Sequence, residues 1–165
     1  MNDSQRLDKA QIAERLRAEH RRLYDTLAKL TPEERAQPHT LSDWSVKDVM
    51  AHMVFWNRYP LRELECALKG EHPDTVRDAR HDDVINAEAV ARCAEMGFEQ
   101  VIADFEQSYR ELLAAVELLP AQAFEAGSSV EQLLGSTVGQ TLDSNTYEHW
   151  AEHRVEIETR FNLQH

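Results

Sequence analysis

The chain has 165 residues, the usual size of one domain, so we expect a single domain spanning residues 1–165. Apolar residues make up 42% and charged residues 29% of the sequence, a balance that argues against a disordered chain. The formal net charge of −12 predicts no nucleic-acid partner, because phosphates repel an acidic surface.

The sequence also bears on the cellular compartment. It has no run of about eighteen apolar residues, so we expect no membrane partner and no membrane span. The N-terminal segment is polar and lacks the apolar core of a signal peptide. Cys66 and Cys93 are the only cysteines and are far apart in the sequence. Together these features predict a reduced, cytoplasmic protein.

Helical periodicity fills most of the chain and predicts an all-α fold. Ser45 followed by Asp48 resembles a capping box that opens the second helix, and Gly70 ends it. The predicted helices cover residues 7–30, 84–119 and 138–161, and the second helix begins at residue 46 and ends at Gly70. Four helices with one long crossover, from the second to the third, match an antiparallel four-helix bundle.

The fourth predicted helix carries polar residues on a face that should be apolar. Steps of three or four residues along this face give Val138, Leu142, Asn145, His149, His153, Ile157 and Phe161. His149 and His153 are one turn apart, so their rings can converge on one ion. Burying two imidazoles without partners costs a few kcal/mol, which favours a shared ligand.

A third ligand is available on the second helix. His52 lies between Val49, Met53 and Trp56, on the side expected to face the core. Three neutral imidazoles suit Zn²⁺ or Ni²⁺ and leave at least one coordination position open. The alternative for His52 is a core histidine with a satisfied hydrogen bond, and His20 on the first helix is a rival ligand.

Two residues are candidates for an outer shell around such an ion. Asn145 is one turn before His149 and could orient a ring or bond a metal-bound ligand. Asp48 is one turn before His52 and could accept its free N–H. Each has a structural alternative, which is an amide at a helix interface for Asn145 and helix capping for Asp48.

Two segments together resemble a known family. They are residues 44–56, WSVKDVMAHMVFW, and residues 146–153, TYEHWAEH. Their order and separation resemble the DinB-like superfamily, which includes the metal-binding domains of mycothiol-dependent maleylpyruvate isomerases and the bacillithiol S-transferases. The resemblance covers nearly the whole chain. It implies a metal-binding four-helix bundle with His52, His149 and His153 as the ligands.

The resemblance further implies a metal-dependent transferase, isomerase or hydrolase that uses a low-molecular-weight thiol and acts on a small electrophilic molecule. Mycothiol enzymes of this group usually carry a second domain, which this sequence lacks, and that weakens the isomerase assignment. Relatives are often homodimers, so we expect a homodimer. Two alternatives to an enzyme stay open, namely a protein that sequesters a small ligand or metal, and a bundle whose histidines are only core residues.

Overall fold

The computed structural model describes residues 6–76 and 80–163, and within these ranges the chain is helical and contains no strand. Eight α-helices form there: α1 Lys9–Ala28, α2 Pro32–Ala36, α3 Val46–Leu68, α4 Asp82–Arg92, α5 Phe98–Leu118, α6 Ser129–Leu134, α7 Val138–Asp143 and α8 Tyr147–Arg160. Pro73–Thr75 and Ala121–Phe124 are 3₁₀ turns. None of the helices in the described ranges combines the length and the apolar character that crossing a bilayer requires.

The long helices α1, α3, α5 and α8 pack as a bundle around one apolar core. The predicted crossover is the connection from α3 to α5, and it contains α4, which packs on α3. Trp150 of α8 is fully buried. Its ring meets Phe105 and Tyr109 of α5 edge to face, with centroids 5.5 and 6.1 Å apart. The predicted all-α fold is confirmed.

Both ends of α3 form where the sequence predicts them. The Ser45 hydroxyl accepts a hydrogen bond from the Asp48 N–H at 3.2 Å, and the Asp48 carboxylate accepts one from the Ser45 N–H at 2.9 Å. This capping box satisfies two N–H groups that the first turn leaves without partners. At the other end Gly70 adopts φ +79°, a left-handed conformation that favours glycine and stops the helix.

The predicted third helix is two helices, α4 and α5, separated by residues 93–97. Gly97 is the N-cap of α5 and has extended backbone angles, φ −70° and ψ 159°. Its N–H donates to the Gln100 side chain at 2.9 Å. An extended residue cannot continue a helix, so α4 is free to pack on α3 as a separate element.

The predicted fourth helix is also interrupted, between α7 and α8. The Thr146 hydroxyl donates to the Leu142 carbonyl at 2.7 Å, and the Asn145 amide donates to the Thr141 carbonyl at 3.3 Å. Side-chain bonds of this kind compete with the backbone hydrogen bonds of a helix. Thr146 leaves the helical region, with φ −128° and ψ −107°, and α8 starts afresh after it.

This break changes which side chains of α8 are buried. Trp150 and Ile157 are fully buried, whereas His149 and His153 are only partly buried. The face predicted for residues 138–161 is therefore buried at Val138, Leu142 and Ile157, and only partly buried at its polar members Asn145, His149 and His153. The two histidines lie at the margin of the core, where they can meet both α3 and open space.

A polar network ties α8 to α1. The Arg154 guanidinium donates to the buried carboxylate of Glu19 on α1 and, at 2.9 Å, to Glu158 one turn further along α8. The Thr26 hydroxyl of α1 donates to the second oxygen of Glu158 at 2.6 Å. A buried charge is tolerated only when it is paired, so this network favours one rotation of α8 against α1.

A second, fully buried network ties α8 to α3 and α5. The Trp150 indole N–H donates to Asn57 Oδ1, the Asn57 amide donates to Ser108 Oγ, and the Ser108 hydroxyl donates to the Phe105 carbonyl, each at 2.8 Å. Asn57, Ser108 and Trp150 are all 0% exposed. Because each of these donors has an acceptor, the network fixes the position of α8 along its axis relative to α3.

We predict that Asn57→Leu lowers the free energy of unfolding by about 2–3 kcal/mol, because it leaves the buried indole N–H of Trp150 without an acceptor. Urea unfolding followed by circular dichroism measures this change. Gln107→Leu on the exposed side of α5 is the control and should change stability by less than about 0.5 kcal/mol. A loss below about 1 kcal/mol for Asn57→Leu contradicts the role given to the network.

Candidate metal centre

His52 is placed by the start of α3. The capping box at Ser45 sets where the helix begins and therefore on which side of α3 His52 lies. The side chain is only 3% exposed, and its ring lies beside that of Trp44, with the centroids 4.9 Å apart. A polar ring in such surroundings needs a partner, since burying it alone is costly.

His149 and His153 supply that partner from α8. They are four residues apart, so their rings lie on the same face of the helix, with the centroids 4.7 Å apart. Each of these two rings also has its centroid 4.8 Å from that of His52. The structure thus brings together the three histidines that the sequence predicts as one group.

The three rings direct their Nε2 atoms at one another. Nε2 of His149 lies 3.0 Å from Nε2 of His52 and 3.0 Å from Nε2 of His153. Nitrogens bound to one Zn²⁺ at about 2.0–2.1 Å in tetrahedral geometry lie about 3.3 Å apart. The observed separations are therefore close to those that a common ion requires.

The opposite side of the His153 ring is held by a carboxylate. Nδ1 of His153 lies 2.8 Å from an oxygen of Glu156, one turn further along α8. An ionised carboxylate only accepts hydrogen bonds, so Nδ1 carries the hydrogen. In the neutral ring the lone pair then lies on Nε2, the nitrogen that faces the other two histidines. Metal-binding histidines are commonly oriented in this way.

A backbone group acts on the His149 ring in the same sense. The Asn145 backbone opposes the lowering of the His149 pKa by burial and by His153, which is the effect of an acceptor beside the ring. A carbonyl accepts but never donates, so this contact also favours a lone pair on Nε2 of His149. Nδ1 of His52, in contrast, is buried without a hydrogen-bond partner among the described residues.

Three lone pairs pointing at one place repel one another unless a cation lies between them. One proton could join only two of the nitrogens, since each imidazole nitrogen has a single hydrogen-bonding position. Nε2 of His149 has two neighbours at 3.0 Å, so a hydrogen bond to one of them leaves the other without a partner. One divalent ion accepts all three lone pairs. The donor set therefore fits a metal ion better than a hydrogen-bonded cluster.

Burial keeps two of these rings uncharged. Loss of solvent, together with the neighbouring His149 and His153, lowers the pKa of His52 to about 2. Loss of solvent and the nearby His153 lower the pKa of His149 to about 4. Metal ions bind the neutral form of imidazole, so both ligands are ready at neutral pH.

Two cavities reach the histidines. The smaller, of about 250 Å³, exposes His52 and His149 and is bordered by Asp82. The larger, of about 800 Å³, reaches His153, with Trp44 in its wall. Its remaining lining residues are Leu41, Ser42, Asp43, Val49, Asp83, Asn86, Ala87, Val155, Glu156, Thr159 and Arg160. A small molecule can therefore approach the centre.

The rival ligand His20 lies elsewhere, between α1 and α5. Its Nε2 lies 2.8 Å from a carboxylate oxygen of Glu106. Its ring stacks on Tyr24 and Tyr109, with centroid distances of 4.4 and 3.9 Å. His20 is thus a core histidine with its own partner, and it is not part of the group formed by His52, His149 and His153.

The two candidates for an outer shell have local partners. The Asp48 carboxylate accepts from the Ser45 N–H and hydroxyl at the helix cap. The Asn145 side chain donates to the Thr141 carbonyl, and it is the Asn145 backbone that contacts the His149 ring. Asn145 nonetheless lines the smaller cavity.

Sequence reasoning missed Glu156 and Asn86. Glu156 follows His153 by three residues on a helix, a spacing that could have indicated the contact. Asn86 of α4 lines both cavities, and its side chain accepts a hydrogen bond from the Trp56 indole N–H at 2.8 Å. No local pattern indicates this residue, because it reaches the centre only through the packing of α4 on α3.

The chain resembles one known protein family. Residues 16–158 match the family described as the mycothiol maleylpyruvate isomerase N-terminal domain. No curated protein matches the sequence.

Two solved structures share the fold. The colibactin self-resistance protein ClbS in complex with a double-stranded DNA has a TM-score of 0.75 at 14% identity, covering 95% of this chain and 97% of that one. An uncharacterised protein from Escherichia coli UTI89 has a TM-score of 0.76 at 14% identity, covering 94% of each chain.

The ClbS complex corrects one prediction. The net charge of −12 predicts no nucleic-acid partner, and that prediction is wrong, because a protein with this fold was crystallised with double-stranded DNA. Net charge sums over the whole surface and does not describe the local field. Here one cleft between α3, α4 and α5 is lined by four arginines, Arg58, Arg62, Arg80 and Arg92.

The predicted resemblance is confirmed by the family match, which spans most of the chain, and by the two structures that share its helical fold. This chain belongs to the mycothiol maleylpyruvate isomerase N-terminal domain family, within the DinB-like superfamily.

Proposed function

We propose that this chain is a metal-dependent enzyme that binds one divalent ion, Zn²⁺ or Ni²⁺, through His52, His149 and His153. Its reaction is the attack of a thiol or of water on a small electrophilic molecule. The observation that carries the proposal is the convergence of three Nε2 atoms, with His149 only 3.0 Å from both of its neighbours. Membership of a family named after a mycothiol-dependent isomerase supports it.

The chain's own residues define what the site can do. Three protein ligands leave room for a further ligand, and a divalent ion bound there would favour a thiolate over a thiol or lower the pKa of bound water. Glu156 holds the His153 ring in place. Trp44 and Val49 give the larger cavity an apolar wall that can hold the carbon skeleton of a substrate.

The proposal predicts that protein purified without a histidine tag contains about one equivalent of divalent metal. His149→Ala should lower this content at least tenfold, because it removes the nitrogen shared by both close contacts. Elemental analysis after dialysis measures it. His20→Ala is the control and should retain the metal, since His20 bonds Glu106 instead. Metal-free wild-type protein that also fails to take up added Zn²⁺ or Ni²⁺ contradicts the proposal.

Glu156→Ala should weaken metal affinity about tenfold, because the carboxylate orients the His153 ring towards the other two histidines. Competition with a chromophoric chelator measures the change. Glu152→Ala removes an exposed carboxylate from the same helix and controls for charge. Equal losses of metal affinity in the two variants would show that the affinity depends on the net charge of α8 and not on the contact between Glu156 and His153.

Catalysis is tested directly by adding a thiol and the electrophile monochlorobimane to the metal-loaded protein. We expect thioether formation to exceed the uncatalysed rate, to stop with a chelator and to fall at least tenfold in His149→Ala. Several biological thiols should be compared, because the cavity does not by itself select one. If thioether forms equally fast with and without metal, the proposed chemistry is wrong.

A second candidate function is protection by binding without turnover. The cavity of about 800 Å³ beside His153 could hold a reactive compound, and ClbS, which shares the fold, is a self-resistance protein against colibactin. Uptake of one equivalent of an electrophile without release of product favours this candidate. Multiple turnovers favour the enzyme.

A further inference from the structure

Asn86 lies beside the three histidines without being a ligand. It is on the second turn of α4 and partly buried, and it is the residue that borders both the cavity at His52 and His149 and the cavity at His153. A group in this position can touch any molecule that enters either cavity and approaches the histidines.

The orientation of its amide follows from its partner. The Trp56 indole N–H lies 2.8 Å from the side chain of Asn86. An indole nitrogen can only donate, so the amide oxygen must face it, and the amide NH₂ group is turned away. Trp56 is in turn held against the centre, with its ring centroid 6.5 Å from that of His149.

The NH₂ group has no acceptor among the described residues, 6–76 and 80–163, since the bond from Trp56 is the only hydrogen bond that the Asn86 side chain makes there. A partly buried amide with an unused donor is available to bind an acceptor atom. Asn145, the other amide at the smaller cavity, differs because its NH₂ group already donates to the Thr141 carbonyl.

We propose that Asn86 is a substrate-binding residue whose amide NH₂ donates a hydrogen bond to the oxygen of a small carbonyl compound at the metal centre. This proposal rests on the proposed function, because it places the bound molecule next to an ion held by His52, His149 and His153. It narrows the substrate class to molecules that carry a carbonyl oxygen near the reacting atom.

The test uses full-length protein loaded with Co²⁺ and two thiols as probes. Mercaptoacetamide carries a carbonyl oxygen, and ethanethiol does not. Thiolate binding to Co²⁺ produces a charge-transfer band, so titration gives a Kd for each probe without any assay of activity. Mercaptoacetamide is also the more acidic thiol and its carbonyl can chelate the ion, so the part of its preference over ethanethiol that depends on Asn86 is the readout. We expect this part to be about tenfold, the typical effect of one additional hydrogen bond.

Asn86→Asp keeps an acceptor for the Trp56 indole but removes the donor. It should raise the Kd of mercaptoacetamide about tenfold more than that of ethanethiol, because only mercaptoacetamide loses a hydrogen bond. Asn145→Asp adds the same charge at the smaller cavity and should leave the ratio of the two Kd values unchanged.

The possible failures are distinguishable. If Co²⁺ binds but Asn86→Asp leaves the ratio of the two Kd values unchanged, the role of Asn86 is wrong and the metal site stands. If wild-type protein takes up no Co²⁺, the proposed function fails and this proposal fails with it.

Discussion

The structure depends on one electrostatic constraint, which is the convergence of three imidazole nitrogens within a few ångströms. Nε2 of His149 lies 3.0 Å from its counterparts in His52 and His153, and acceptors behind the His149 and His153 rings favour a lone pair on Nε2 of each of these two. Such an arrangement is repulsive without a cation. A folded chain that holds it must either supply enough packing energy to maintain the repulsion or bind an ion that removes it.

The helices around the centre are arranged to hold these nitrogens in place. α3 is fixed at its start by the box between Ser45 and Asp48. α8 is held from one side by the buried hydrogen bond between Trp150 and Asn57, and from the other by the ion pair between Arg154 and Glu19. Trp150 follows His149 in the sequence and Arg154 follows His153. The networks that place α8 therefore also place these two histidines.

Much of this could be predicted from the sequence, because both ends of α3 and the four-residue spacing of His149 and His153 are local patterns. What could not be predicted depends on competition or on tertiary contact. Thr146 interrupts the last helix through a side-chain bond to the Leu142 carbonyl, which a hydrophobic pattern does not register. His20 could not be separated from the three predicted ligands by a local pattern, and it is the contact of its ring with Glu106 that sets it apart. Asn86 reaches the centre solely because α4 folds back on α3.

X-ray absorption spectroscopy at the edge of the bound metal tests the central claim most directly, because it reports the identity and number of the ligand atoms. The account predicts three imidazole nitrogens at about 2.0–2.1 Å, together with one or more oxygen ligands and no sulfur ligand. The same spectrum from His52→Ala should show one imidazole fewer. A spectrum with fewer than two imidazoles, or with sulfur from Cys66 or Cys93, contradicts the assignment of the centre to His52, His149 and His153.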